Sequence, residues 1–203
     1  MTLSEKNLII DLKGPFEGQV LDCLFTEEQI QKRVSEIADE ISSDLKKSPL
    51  PPIMIGVLNG SLFFMADLMR AMSIESEMDF IKISSYHHTS STGTVRLVKD
   101  ISAQITDRDV ILVEDIVDTG LSINFLRKRM LSNSPNSLRV VTFLYKKEMS
   151  QLEKEPEYIG FVIPNRFVVG YGLDLDQKFR TLRDIYAFAP DKDIAKKRRG
   201  DHE

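Results

Sequence analysis

The sequence is poor in cysteine, tryptophan and histidine, and it contains no long apolar run. Among its 203 residues there is one cysteine, Cys23, no tryptophan and three histidines. A single cysteine excludes an internal disulfide and a cysteine zinc cluster, which favours a protein of the reducing cytoplasm. No stretch approaches the roughly 20 apolar residues of a membrane helix, and the polar start is unlike a signal peptide. We therefore expect a cytoplasmic protein without a membrane partner.

The chain also lacks an excess of positive charge. It carries 27 Lys and Arg against 31 Asp and Glu, a net charge of −4. Such a balance supplies no overall basic field for nucleic acid, so a site for an anion has to be formed locally. The length and the 42% of hydrophobic residues are typical of one α/β domain, with room for a small subdomain.

The stretch from Val110 to Ser122 is the most informative part of the sequence. Val110–Val113 is an apolar, mostly β-branched run, typical of a strand buried on both faces of a parallel sheet. Three acids come next, and a glycine flanked by hydroxyl residues then opens a helical pattern. The acids are Glu114, Asp115 and Asp118, and the turn is Thr119, Gly120, Leu121 and Ser122.

This arrangement predicts a phosphate cradle with carboxylates beside it. Gly120 lets backbone N–H groups approach a ligand, and the N-terminus of the following helix attracts an anion. Acids next to a phosphate suggest a sugar phosphate and a divalent cation that balances the charges. The structural alternative is a buried strand that ends in an acidic turn.

The segment 113–122 resembles the phosphoribosyl-pyrophosphate signature of type I phosphoribosyltransferases, and most closely that of their hypoxanthine-guanine branch. The resemblance implies an α/β fold with a central, mostly parallel sheet flanked by helices. It also implies one domain over residues 1–203, with a small hood formed by about 1–20 and 155–186. The 5-phosphate of ribose would bind to residues 118–122, and the ribose hydroxyls to Glu114 and Asp115.

A second strand-turn-helix comes earlier in the chain. Ile53–Leu58 reads as a buried strand that ends in Asn59, Gly60 and Ser61. A simple turn is the structural alternative. The resemblance implies that Leu58, Asn59, Gly60 and Ser61 bind pyrophosphate, with a non-proline cis peptide just after Leu58. Many relatives carry Lys or Arg where Asn59 stands, so binding here would depend more on backbone N–H groups and Mg²⁺.

The segment Ser85–Thr94 has the composition of an exposed loop, because six of its ten residues are Ser or Thr. It follows a predicted strand over 78–84, and Val95–Val98 resembles the returning arm of a hairpin. A solvated linker is the alternative interpretation. The resemblance implies that Ser85 and Tyr86 belong to a catalytic loop that closes over the pyrophosphate.

A further predicted strand, Leu138–Tyr145, leads directly into Lys146 and Lys147. A lysine at such a place is often only exposed to solvent. The resemblance implies that Lys146, rather than Lys147, contacts the exocyclic oxygen of the purine and so selects a 6-oxopurine over adenine.

The block 159–174 is rich in Gly and aromatic residues and resembles the purine-binding hood of the family; as structure alone it would be a sheet-edge segment. The resemblance implies that Phe167 stacks on the base and that the Val168 backbone meets its edge. Asp174 would hold magnesium, and Arg180 would bind pyrophosphate.

Three helices are predicted. One follows Ser61 and carries Leu62, Phe63, Met65, Leu68 and Met69. Thr26 and Gln29 have capping-box spacing, and apolar residues at helical intervals predict a helix over about 27–46. A third helix is predicted after Ser122, with Ile123, Leu126 and Met130 on its buried face.

The implied activity is purine salvage: transfer of 5-phosphoribose from phosphoribosyl pyrophosphate to N9 of hypoxanthine, and of guanine, giving IMP or GMP and pyrophosphate. Asp118 would be the general base, with Lys146 and Arg180 as the other catalytic residues. Mg²⁺ would be the cofactor, held by Glu114, Asp115 and Asp174. The implied assembly is a homodimer or homotetramer. Two alternatives stay open: a xanthine-guanine-preferring transferase, and a nucleic-acid-binding regulator that retains the fold.

Overall fold

The computed structural model describes residues 7–10, 16–86 and 94–188. The chain divides into two compact units, the larger formed by 31–165 and the smaller by 1–30 together with 166–203. None of the described helices combines the length and the apolar character that a membrane span requires.

The elements of the described residues are as follows. The strands are β1 (Leu8–Ile9), β2 (Val20–Phe25), β3 (Ile53–Leu58), β4 (Glu77–Tyr86), β5 (Thr94–Lys99), β6 (Asp109–Val117), β7 (Ser137–Tyr145), β8 (Tyr158–Val162), β9 (Val168–Val169) and β10 (Ile185–Phe188). The helices are α1 (Glu27–Leu45), α2 (Leu62–Ala71) and α3 (Leu121–Leu131), and a short 3₁₀ helix covers Lys147–Met149.

The larger unit contains a six-stranded sheet in the order β5-β4-β3-β6-β7-β8. Every neighbouring pair in it is parallel except β4 with β5, which form an antiparallel hairpin. This confirms the prediction of a mostly parallel sheet. Because β3, β6 and β7 are parallel, their carboxyl ends lie at one edge of the sheet.

Helices cover both faces of this sheet. Alternate residues of a strand point to opposite faces. On one face, Ile55 and Val57 of β3 belong to the same core cluster as Leu126 of α3. On the other, Gly56 lies against Met65 of α2, whose sulfur is 2.4 Å from the place a Cβ would occupy. The apolar runs therefore form strands because they are buried from both sides, as predicted for β3 and β6.

The smaller unit has its own sheet and core. Its four strands pair antiparallel in the order β1-β2-β10-β9. Phe167 packs on Phe188, with ring centroids 5.4 Å apart. The buried members of this core are Ile10, Leu21, Val169, Leu175, Tyr186 and Phe188.

All three predicted helices are present. Helix α1 spans Glu27–Leu45. The capping box forms as predicted, because the Thr26 N–H donates to Gln29 Oε1 at 2.9 Å and the Gln29 N–H donates to Thr26 Oγ1 at 3.4 Å. In α3, the residues Ile123, Leu126 and Met130 are buried.

Two strand boundaries differ from the sequence-based predictions, each because backbone pairing continues beyond the local pattern. Strand β6 includes Glu114 and Asp115 and ends at Val117, since its ladder with β7 runs on to that residue. Strand β4 reaches Tyr86, which pairs with Thr94, so the backbone of Ser85 and Tyr86 belongs to the strand and not to the loop. The intervening residues 87–93 lie outside the described residues.

Strand β8 pairs in parallel with β7 at the edge of the six-stranded sheet. The smaller unit comprises residues 1–30 and 166–203. A hood formed by about 1–20 and 155–186 stays a prediction.

Candidate active site

Three loops of the larger unit follow strands that end at the same edge of the sheet. Asn59 and Gly60 follow β3, Asp118 follows β6, and Lys146 follows β7. The Lys146 N–H donates to the Val117 carbonyl at 2.9 Å, which joins the ends of β6 and β7. The parallel sheet thus gathers side chains that are distant in the sequence.

Lys146 and Asp118 form an ion pair at this edge. Lys146 is only 6% exposed, and its Nζ lies 3.1 Å from Asp118 Oδ2. The Asn165 amide oxygen lies 3.5 Å from the same ammonium. By contrast, Lys147 is exposed and its Nζ pairs with Glu155 at 2.9 Å. Of the two lysines, Lys146 alone is directed toward Asp118.

The loop after β3 approaches Asp115 closely. The Leu58–Asn59 peptide bond is cis, as the resemblance implied. A Cβ on Gly60 would lie 1.6 Å from Asp115 Oδ2. Any residue other than glycine at this position would therefore displace the Asp115 carboxylate. The hydroxyl of Ser61 is buried and donates to the Val57 carbonyl at 2.6 Å, so its proton is already used in a hydrogen bond to the backbone.

Glu114 is a buried acid beside a second acid. It is 8% exposed, and its Oε2 has no hydrogen-bond partner among the described residues. Burial first, and the neighbouring Asp115 charge second, raise the pKa of Glu114 well above its ordinary value. Opposite charge placed next to this pair would offset both effects.

A magnesium ion fits this chemistry. In the described ranges, no three His, Cys, Asp or Glu side chains converge in a way that could hold a metal. Mg²⁺ does not need three, because it commonly binds one or two carboxylates together with water and substrate phosphates. Glu114, with its unpartnered buried oxygen, and Asp115 form such a pair of oxygen donors.

The segment Asp118–Ser122, which we call the phosphate loop after its predicted role, turns from β6 into α3. Gly120 adopts φ +83° at the start of the helix, and a Cβ there would lie 2.7 Å from Leu152 Cγ. Asp118 and Thr119 are exposed, and Leu121 begins the first turn of α3. Unpaired N–H groups of a first helical turn are suited to bind an anion.

The remaining predicted site residues belong to the smaller unit. Arg180 Nη2 lies 2.9 Å from Asp174 Oδ1, and Nη1 donates to the Gly172 carbonyl at 2.7 Å. The structure therefore brings together the acid predicted for magnesium and the arginine predicted for pyrophosphate. Val168 pairs with Ala187 in the sheet of this unit. The predicted metal ligands are divided between the units, with Glu114 and Asp115 in the larger one.

Sequence reasoning missed three residues that contact the predicted site. Asn165 lies beside the Lys146 ammonium, and Asn124 and Gln151 are hydrogen-bonded in a group that includes Thr119 of the phosphate loop. Asn124 and Gln151 are 27 positions apart in the chain. No local spacing pattern signals such a contact, because tertiary folding alone brings these segments together.

Comparison with known proteins shows the family of this chain. The phosphoribosyl transferase domain family matches residues 22–176. The chain is 41% identical over 180 residues to the hypoxanthine-guanine phosphoribosyltransferase of Mycobacterium tuberculosis (strain CDC 1551 / Oshkosh), covering 86% of this chain and 89% of that protein. With the Bacillus subtilis (strain 168) enzyme of the same name it is 38% identical over 168 residues, covering 82% and 92%.

Solved structures show the same relationship. A crystal structure of a hypoxanthine-guanine phosphoribosyltransferase from Bacillus anthracis superposes with a TM-score of 0.76 at 40% identity, covering 83% of this chain and 97% of that one. The family match over residues 22–176 includes all strands of the six-stranded sheet. The chain therefore belongs to the phosphoribosyltransferase family, in its hypoxanthine-guanine branch.

Proposed function

We propose that the protein is a purine salvage enzyme that transfers 5-phosphoribose from phosphoribosyl pyrophosphate to N9 of hypoxanthine, and of guanine. The observation that carries this proposal is the Lys146–Asp118 pair at the carboxyl edge of the sheet, next to the phosphate loop. A cation and a half-exposed carboxylate together match the two polar atoms that a 6-oxopurine presents, O6 and N7–H. The names of the relatives support the same substrates.

The sugar phosphate binds to the larger unit in this proposal. The phosphate loop 118–122 supplies backbone N–H groups and the hydroxyls of Thr119 and Ser122 to the 5-phosphate. Glu114 and Asp115 accept hydrogen bonds from the ribose hydroxyls. Two fixed attachment points hold C1 of the sugar in line for attack.

The pyrophosphate leaves as the bond from C1 to its oxygen breaks, and negative charge grows on it. Backbone donors of the cis-peptide loop at Leu58, Asn59, Gly60 and Ser61 stabilise that charge. Arg180, Ser85 and Tyr86 complete the proposed pyrophosphate contacts. Asn59 adds no cation, so the loop contributes hydrogen bonds rather than charge.

Mg²⁺ is the proposed cofactor, with Glu114 and Asp115 as its carboxylate ligands and Asp174 as a further proposed ligand. When bound, the ion would neutralise part of the phosphate charge. The buried, unpartnered Oε2 of Glu114 supports a cation near this acid pair.

The purine attacks through N9. As the N9–C1 bond forms, Asp118 accepts the proton from N7 as general base, a role that commonly accelerates a reaction by about 10²–10⁴-fold. Lys146 donates a hydrogen bond to O6, Phe167 stacks on the ring, and the Val168 backbone contacts the base edge. An adenine presents an amino group to Lys146 in place of an acceptor, so the hydrogen bond from Lys146 to position 6 cannot form.

Initial rates with hypoxanthine, guanine, xanthine and adenine, each with and without Mg²⁺, test the proposal. We expect transfer to hypoxanthine and guanine, little transfer to adenine, and loss of turnover when the metal is chelated. A preference for xanthine would assign the protein to the xanthine-guanine-preferring type. Failure to transfer phosphoribose to any of the four bases would refute the proposal.

We also propose that the enzyme works in the cytoplasm as a homodimer or homotetramer. A single cysteine fits a reducing compartment. Closed symmetric assemblies are the usual outcome for enzymes of this size. Sedimentation equilibrium at several concentrations measures the assembly, and a monomer at all of them would contradict it.

A further inference from the structure

A short segment distant in sequence is bound to the phosphate loop by backbone hydrogen bonds. This segment, Ser150–Glu153, follows the 3₁₀ helix, and we call it the clamp segment. The Gln151 N–H donates to the Thr119 carbonyl at 2.9 Å. The Leu152 side chain lies against Gly120, where a Cβ would come within 2.7 Å of Leu152 Cγ.

The Asn124 side chain binds the backbone of the clamp segment through two hydrogen bonds. Its Nδ2 donates to the Gln151 carbonyl at 3.1 Å, and its Oδ1 accepts from the Glu153 N–H at 3.1 Å. One amide side chain therefore satisfies a donor and an acceptor of the clamp backbone. Because Asn124 lies in the first turn of α3, it ties the clamp segment to the helix that the phosphate loop begins.

These contacts determine the direction of one N–H group in the phosphate loop. In a planar trans peptide, the carbonyl of one residue and the N–H of the next point in opposite directions. The Thr119 carbonyl points to Gln151, so the Gly120 N–H points away from the clamp segment. Among the described residues this N–H has no acceptor, which leaves it available to an anion on the other side of the loop.

We propose that Asn124 is a positioning residue for the 5-phosphate of the substrate. It acts through Gln151, whose N–H keeps the Thr119 carbonyl turned outward and the Gly120 N–H turned toward the phosphate. This inference rests on the proposed function of residues 118–122 as the phosphate site. It adds that the site depends on the clamp segment, which itself touches no substrate.

Two matched pairs of variants test the proposal. Gln151→Pro removes the backbone N–H that binds Thr119 together with the exposed side chain, whereas Gln151→Ala removes the side chain and keeps the N–H. The extended conformation of Ser150, with ψ 133°, suits a residue that precedes proline. Asn124→Ala is paired with Asn133→Ala, which removes an amide hydrogen bond to the Arg129 carbonyl at the far end of the same helix.

The readouts are the dissociation constant of ribose 5-phosphate and the separate KM values for phosphoribosyl pyrophosphate and hypoxanthine. We expect Asn124→Ala and Gln151→Pro to weaken ribose 5-phosphate binding and raise the KM for phosphoribosyl pyrophosphate by about fivefold to tenfold, the worth of one hydrogen bond. The KM for hypoxanthine should stay within about twofold, because the purine does not contact the phosphate loop backbone. The two control variants should match the wild type in all three constants.

Asn124 and Gln151 both act on the hydrogen bond from the Gln151 N–H to the Thr119 carbonyl. The double variant Asn124→Ala with Gln151→Pro should therefore weaken ribose 5-phosphate binding by less than the sum of the two single effects on the binding free energy. Equal changes in Asn124→Ala and Asn133→Ala would reduce Asn124 to a stabilising residue and overturn the proposal, as would unchanged phosphate binding in Asn124→Ala. If Gln151→Pro does not fold, the Asn124 pair decides alone. A wild-type protein that binds ribose 5-phosphate but transfers nothing would refute the proposed function, while the binding series would still decide the role of Asn124.

Discussion

The Lys146 ammonium lies 3.1 Å from the Asp118 carboxylate, although the two residues are 28 positions apart in the chain. Lys146 is buried at the end of β7, whereas the Asp118 side chain is half-exposed beyond the end of β6. The Asp118 carboxylate of this pair is therefore accessible to solvent, whereas the Lys146 ammonium is buried. A base that accepts from Lys146 and donates to Asp118 would replace this mutual hydrogen bond with two of its own.

Asp118→Asn tests the proposed general base. An amide cannot take up the N7 proton, so we expect turnover to fall by about 10²–10⁴-fold. The fold should persist, because the Asp118 side chain is half-exposed and its replacement has nearly the same shape. Steady-state kcat at saturating substrates, with thermal unfolding as the control for folding, measures both. Turnover close to that of the wild type would exclude Asp118 as the base.

Lys146→Gln tests purine selectivity, and Lys147→Gln is its matched control. Lys146 is buried and directed toward Asp118, whereas Lys147 is exposed and pairs with Glu155. Gln can still donate at position 6, and it can also accept from an amino group. We expect weaker hypoxanthine binding, by about tenfold for a lost charged hydrogen bond, and a smaller preference over adenine.

The measurement for these two lysine variants is kcat/KM for hypoxanthine and for adenine in each. Lys147→Gln should leave the ratio of the two unchanged. An altered ratio in Lys147→Gln, or an unaltered one in Lys146→Gln, would contradict the assignment of Lys146.

Gly60→Ala tests the close approach between the loop after β3 and Asp115. The added Cβ would lie 1.6 Å from Asp115 Oδ2, so the carboxylate must move from its present position. We expect the KM for phosphoribosyl pyrophosphate to rise by about tenfold or more, since a charged hydrogen bond contributes about 1.5–3 kcal/mol.

A double-mutant cycle with Asp115→Ala supplies the control. Once Asp115 is truncated, the added methyl group has no carboxylate to displace, so Gly60→Ala should then cause little further loss. Additive effects in the double variant would mean that the methyl group acts on something other than Asp115.

Glu157→Gln tests the dependence of stability on acid. Burial raises the pKa of Glu157, but hydrogen bonds from Arg127, Lys154 and the Val140 N–H outweigh it, so the pKa in the folded protein lies below its ordinary value. Such a group stabilises the fold above its unfolded pKa of about 4.3, and this contribution is lost as the pH falls through the folded pKa. At pH 7 the variant should be less stable by about 1–3 kcal/mol.

Urea unfolding of wild type and Glu157→Gln between pH 7 and pH 3 measures this contribution. The difference in free energy of unfolding should be largest at neutral pH and should shrink below the ordinary Glu pKa. Glu153→Gln is the control, because Glu153 is exposed and its pair with Lys128 is a surface ion pair, so its effect should stay within about 0.5 kcal/mol. A constant difference across the pH range would refute the prediction.

The elements could be predicted where local pattern and burial agree. Ile53–Leu58 is a strand because an apolar run is buried from both sides, and α1 begins after Thr26 because the capping box forms. The ends of strands could not be predicted where backbone pairing with a neighbouring strand continues through residues whose composition is typical of a turn. Glu114 and Asp115 look like the start of a turn, yet their backbone continues the ladder of β6, since β7 provides partners up to Tyr145.

For the candidate site, the motif residues were visible in the sequence, but their surroundings were not. The preference for Lys146 over Lys147 came from a resemblance, whereas the structure provides a physical reason in their opposite directions and burial. The contact of Asn124 with the clamp segment had no local signal at all.

By itself, the sequence determined which segments can be buried strands, where α1 begins, and where a glycine turn opens α3, because these depend on neighbours along the chain. Only the tertiary structure decided that Gly60 lies against Asp115, that Oε2 of Glu114 is buried without a partner among the described residues, and that the Gln151 N–H donates to the Thr119 carbonyl. The physical reason is that strand register and loop packing join residues far apart in the chain, and no local periodicity encodes those distances.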